Sequence, residues 1–198
     1  MKSARYVAGV VFPALLMVAV SGCVDGGNQT PSPESDGAER NKNVIRDLKG
    51  EELLAVMKET ADAGKGFSLR DATNLERYIY HGRANRYVAC FGKEAPKLQA
   101  VDLYAVPEGE KCPDELGSVA PAPRIPDLVG QPVEKSFLEL LLTGYPPERI
   151  KVFKVENPAV PVSPEPLAKW RVCAQQPNPN AKFDASDRAK IHVATKCS

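Results

Sequence analysis

The chain has 198 residues, 43% of them apolar and 26% charged, a globular balance that excludes a fibrous or wholly disordered protein. Twenty-six basic residues meet 25 acidic ones, so the formal charge is only +1 and the bulk electrostatics of a nucleic-acid binder are missing. Eighteen prolines assign a large share of the chain to loops and linkers.

Residues 1–22 read as an export signal. Lys2 and Arg5 make a positive start, Tyr6 to Val20 form an apolar run too short to span a bilayer comfortably, and small Ser21 and Gly22 follow. The run Val20-Ser21-Gly22-Cys23 resembles a bacterial lipoprotein box, with Val20 where Leu is usual. That resemblance implies a diacylglyceryl group on the Cys23 sulfur, and so a lipid anchor on the outer face of the cytoplasmic membrane, facing the cell wall. Residues 23–42, rich in Gly, Ser, Pro, Asn and charge, have almost nothing to bury and read as a tether. About 20 residues of flexible coil span roughly 25 Å.

Beyond the tether the sequence is written twice. Arg46 to Gly64 and Pro126 to Gly144 share Asp47/Asp127, Leu48/Leu128, Gly50/Gly130 and Gly64/Gly144, all at an offset of 80. Each segment predicts a helix of about four turns or fewer. Leu53, Leu54, Met57 and Ala61 in one, and Val133, Phe137, Leu138 and Leu141 in the other, form a one-sided apolar stripe. Glu51 and Glu52 suit a helix start and the closing glycine a helix stop. Three strand candidates follow each helix: 66–73, 86–93 and 100–107 in the first copy, 149–156, 169–176 and 189–196 in the second. The fold expected is α+β, with two small tandem modules of one helix packed on a three-stranded, mainly antiparallel sheet. Module 1 covers residues 43–113, a Pro-rich linker 114–123 reads as a semi-extended spacer, and module 2 covers 124–198.

Each copy resembles a PASTA module, the small extracellular domain of bacterial penicillin-binding proteins and membrane Ser/Thr kinases. The second carries the likeness best, in Pro126-Asp127-Leu128-Val129-Gly130 and in Val172-Cys173-Ala174-Gln175-Gln176-Pro177-Asn178-Pro179-Asn180, where Asn180 stands for the usual Gly. The first departs, with Arg46 for the opening Pro and Cys90 to Pro96 for the Gln-x-Pro turn. The resemblance implies non-catalytic binding of peptidoglycan or muropeptides; docking onto a wall-synthesis protein or membrane kinase is the alternative. No cofactor and no nucleic acid are implied.

Setting Cys23 aside, four cysteines allow three pairings. Cys90 with Cys112 and Cys173 with Cys197 have matching spacings of 22 and 24, each joining a middle strand to the end of its unit. A four-thiolate metal site would compete, but the chain has no C-x-x-C. Enzyme signals are sparse: the two histidines are His81, in a loop, and His192, alternating with Ile191 and Val193 and so expected on the solvated face. There is no G-x-S-x-G, H-E-x-x-H or Gly-rich phosphate loop.

Binding remains, and charge favours the second copy. Residues 43–113 carry 11 basic and 11 acidic side chains, residues 124–198 carry 11 and 8. Arg149, Lys151, Lys154, Lys169 and Arg171 crowd two adjacent strand candidates, which suits acidic stem-peptide carboxylates or anionic wall polymers, although a solvated sheet face that resists edge pairing has the same look. Trp170 offers either a sugar-stacking ring or a core side chain. The ligand-binding candidates are therefore Arg149, Lys151, Lys169, Trp170 and Arg171.

Overall fold

A computed structural model describes residues 45–162 and 169–197, all within one compact unit that runs from Asn41 to Ser198. The signal segment, Cys23 and the tether lie outside the described residues. In chain order the elements are β1 (Ile45–Glu52), α1 (Leu53–Asp62), β2 (Gly66–Asp71), β3 (Tyr87–Ala95), β4 (Ala100–Pro107), α2 (Val133–Thr143), β5 (Ile150–Lys154), β6 (Asn157–Val162), β7 (Arg171–Gln176) and β8 (Ala189–Ala194). The fold is α+β, with two four-stranded sheets ordered β1-β3-β4-β2 and β6-β5-β8-β7.

All six expected strands are present, and their wiring repeats. β4 lies between parallel β2 and antiparallel β3, as β8 lies between parallel β5 and antiparallel β7. Each sheet has a fourth strand in place of the three expected. β1 adds to the outer edge of β3, and β6, which lies between two strand candidates, adds to the outer edge of β5.

The four repeated positions do the same work in both copies. Asp47 and Asp127 each accept the backbone N–H two residues on, at 3.0 and 3.1 Å, which turns the chain inward. Leu48 and Leu128 are then buried. Gly50 and Gly130 follow at φ +93° and +80°, in the left-handed region where a Cβ is penalised. The turn precedes each helix, which starts at the first residue of its apolar stripe, Leu53 or Val133. Glu51 and Glu52 belong to β1, and Leu54 of the expected stripe is exposed while Val56 is buried.

Two larger cores result. Leu53 and Val56 join Leu48, Tyr87, Ala89 and Leu103 in the first, and Val133, Leu140 and Leu141 join Ile150, Val152, Val172 and Ile191 in the second. The far face of the first sheet is also covered: Cys90, Phe91 and Val106 pack there against Cys112 and Leu116.

The disulfides Cys90–Cys112 and Cys173–Cys197 are both formed, so all four sulfurs are consumed. β3, inside its sheet, and β7, at the edge of its own, each carry a cysteine at a bulge. Ala89 pairs with Ala105 and Phe91 with Tyr104, which leaves Cys90 as the extra residue, and Val172 and Ala174 leave Cys173 in the same way.

The copies are not separate beads on a spacer. The linker is stitched to the first copy by Gly117 N–H to Ala72 C=O at 2.9 Å and Ala120 N–H to the Asn74 side chain at 3.0 Å. Tyr78 N–H donates to Gly144 C=O at 2.8 Å, Tyr78 and Tyr80 pack against the second core, and Leu142 of α2 packs against the first.

Candidate functional site

The face of the second sheet turned away from its core carries half-buried side chains. Alternation along β5 and β8 buries Ile150, Val152, Ala189, Ile191 and Val193 and turns Lys151, Phe153, Lys190 and His192 the other way. Register then sets these side chains in rows. Lys151 is the partner of Lys190, which is partner to Gln176 on β7; Phe153 is the partner of His192, which faces Ala174. The Phe153 and His192 rings stack at 5.4 Å between centroids and 21° between planes.

Two ammonium groups at directly opposed positions repel. Among the described residues neither Lys151 nor Lys190 has a carboxylate within salt-bridge distance. The first copy supplies a comparison. Its corresponding row is Ser68, Asp102 and Lys93, in which Asp102 accepts from Ser68 and lies 3.5 Å from Arg70. Where the first sheet is internally balanced, the second is cationic.

The sequence-based candidates divide around this face. Lys151 stands on it. Arg149 precedes β5 in a 3-10 turn, donates to the Ala185 carbonyl and lines a cleft of about 570 Å³ between the copies with Arg70, Tyr104 and Glu148. Arg171 lies on β7, across β8 from β5, so the two basic strands are not neighbours; its guanidinium donates to Gly130 C=O at 3.0 Å. Lys169 is exposed and outside any strand. Trp170 packs against the second core, with the Lys154 ammonium 4.9 Å from its ring centroid, so its indole is part core and part cation–π partner. Lys190, Phe153 and His192 were missed as site residues. The signal for Lys190 was its place two residues before His192 on an alternating strand.

The Gln-x-Pro turn of the second copy has a structural job. Gln175 accepts Leu128 N–H at 2.7 Å and donates to the carbonyls of Pro126 and Pro177 at 3.0 and 3.1 Å. It thereby ties the Pro-Asp opening to the Pro-rich turn, and Asn180, at φ 63°, takes the left-handed position where glycine was expected.

The densest electrostatic cluster is also structural. Arg77 donates to Asp71 at 2.8 and 3.2 Å and to Glu110 at 2.7 Å, with the Arg77 and Asp71 side chains 2% and 1% exposed. Burial alone would raise the Asp71 pKa. The Arg77 hydrogen bonds and charge, with N–H donation from Thr73 and Arg77, outweigh it and hold the carboxyl below its ordinary value. Burial disfavours charged Arg77 too, yet Asp71 and Glu110 raise its pKa overall. Each of its three guanidinium nitrogens donates within the cluster, and the side chain is buried, which leaves little for a substrate.

No family model, curated protein or solved structure matches the chain. Among the described residues no helix is long and apolar enough to cross a membrane. The two disulfides accord with an oxidising compartment outside the cytoplasm.

Proposed function

We propose that the protein is a non-catalytic lipoprotein of the bacterial cell envelope, anchored through Cys23, whose two PASTA-like units, each a helix laid over a sheet, hold the second unit's cationic face against peptidoglycan or its acidic fragments. The observation that carries this reading is the opposed pair Lys151 and Lys190 beside the stacked Phe153 and His192. A like-charge pair costs stability unless an anion lies between its members. A carboxylate or phosphate there would be held by charge-assisted hydrogen bonds, and the ring pair offers an apolar shoulder. Arg171 and Lys169, near one edge, extend the positive field without having to touch the ligand.

The test is co-sedimentation with purified peptidoglycan at two salt concentrations. Pelleting that falls at higher salt and is lost in Lys151→Glu/Lys190→Glu supports the reading; pelleting unchanged by both overturns it. Anchoring is checked separately by fatty-acid labelling, in which a Cys23→Ala protein that keeps its label in the membrane fraction refutes lipidation.

The accessory-subunit reading draws support from β2. It is an edge strand with no proline and no break in its pairing with β4, and Phe67 on it is exposed, whereas the edge strand β6 carries Pro158 and Pro161. An undefended edge of this kind can accept a strand from another protein. Crosslinking that captures one wall-synthesis protein through β2, without pelleting, would favour it.

A further inference from the structure

The internal repeat lets one copy serve as the control for the other. In the second sheet Ile191 is the Cα partner of Gln175; in the first, Leu103 is the partner of Gly92 at the corresponding place. On the helices, the offset that relates Asp47 to Asp127 sets Thr60 against Leu140. In the second copy Leu140 is buried and Gln175 is half-buried and fully hydrogen-bonded. The first copy is truncated at both positions. The Thr60 hydroxyl is also engaged, donating to Val56 C=O at 2.8 Å.

The space left over is a cleft of about 170 Å³ between α1, β1 and the sheet, floored by Leu48, Val56, Gly92, Val101 and Leu103. A dry cavity of about 150 Å³ is enough to take benzene. At the mouth stand two ion pairs, Arg46–Glu59 at 3.6 Å and Lys65–Glu94 at 2.9 Å. All four side chains are more than 40% exposed. Pairs so exposed are weak, so each partner can turn to a third ion at little cost.

We propose that this cleft binds an aliphatic α-amino acid, either free or at a peptide terminus. Its side chain takes the volume that Leu140 fills in the second copy, while the place of the Gln175 stem is closed by Leu48. Its ammonium or carboxylate is met at the mouth by Glu59 and Glu94 or by Arg46 and Lys65. The apolar floor selects against charged side chains, and the cleft size against indole. The second copy, filled by its own residues, does not bind.

Methyl NMR titration of the full exported chain tests this with L-leucine, glycyl-L-leucine, L-leucyl-glycine and N-acetyl-L-leucinamide. Saturable shifts of the Leu48, Val56 and Val101 methyls at millimolar L-leucine are expected, with no response at Leu128 or Val172. The two dipeptides separate a free amino acid from a C-terminal or N-terminal residue. Thr60→Leu should weaken binding about tenfold or more. Gly92→Gln should abolish it; because an added Cβ at Gly92 stands 3.1 Å from Leu48 Cδ1, Gly92→Ala is the milder second variant. No saturable shift at those methyls overturns the proposal, as does undiminished binding in folded Thr60→Leu. Equal binding of N-acetyl-L-leucinamide, which lacks both charges, overturns the role of the ion pairs.

Discussion

Arg77 shows how one residue can hold a structure together and still be a liability. With Asp71 it forms an ion pair that water cannot reach, so removing either partner strands the other charge in the interior. Arg77→Met should therefore cost roughly 3 to 5 kcal/mol in urea unfolding, and Arg77→Met with Asp71→Asn should recover much of it. Because the Asp71 pKa is depressed in the fold, its contribution is present above the unfolded value of 3.8 and is lost as pH falls below it. Acid unfolding should begin there and shift in Asp71→Asn. Tyr145 behaves oppositely. Its ring is fully buried edge-on to Phe183 at 5.0 Å and its hydroxyl has no hydrogen-bond partner among the described residues. Burial, with the nearby Asp187 and Asp184 charges, pushes its pKa up to about 12. A raised folded pKa means stability that is intact below pH 10 and drains away between 10 and 12. Tyr145→Phe should be neutral or stabilising by about 1 kcal/mol at pH 7 and should flatten that alkaline decline, both measurable by thermal scans across pH.

At the scale of elements, the two disulfides close loops of 22 and 24 residues. Each is expected to contribute roughly 3 kcal/mol by restricting the unfolded chain. Replacing Cys173 and Cys197 by Ser should lower the urea midpoint accordingly while the far-ultraviolet spectrum is retained; a loss of all β signal would mean that the bulge itself depends on the bond. The six core strands and both helices were legible in the sequence because their apolar residues keep a period that burial imposes. The strands at two outer edges were not. β1 buries only Leu48, so its sequence has no alternation, and main-chain pairing with β3 alone makes it a strand. β6 has two prolines and reads as loop, yet an edge strand needs donors on one side only. The basic face was half legible: Lys151 was visible as charge on a strand, but its pairing with Lys190 depends on a parallel register that spans 39 residues of chain. The apolar cleft could not be seen at all, since a glycine and a threonine signal a void only after the register of both copies is known.

At the scale of the whole molecule, the contact between copies changes what duplication means here. Gly144, at φ +120°, lies so close to the first copy that an added Cβ would stand 2.7 Å from Arg77 Cβ and Cγ. The glycine that ends the second helix is therefore also the surface on which the first copy's buried ion cluster rests. The folded region should unfold in one calorimetric transition, not two. Gly144→Ala should cost roughly 2 to 4 kcal/mol, through backbone strain and the clash, and should separate the copies into two transitions. Two transitions in the unaltered protein would show that the contact carries no energy.

The paired disulfides have a further consequence for how the chain would yield to a pull on its ends. Each bond withdraws its loop from the extensible length of the chain, about 75 to 80 Å of contour apiece at ~3.4 Å per residue. If a pull reached the folded region through Ile45, the strand it would meet is β1, joined to the rest by its ladder with β3, and β3 is itself stapled through Cys90. Slack would come in short instalments, from the edge inward, and β3 and β7 would remain tied to the ends of their own units after the helices had let go. Under such a pull the reach of the folded region would be set by covalent bonds more than by the strength of its cores.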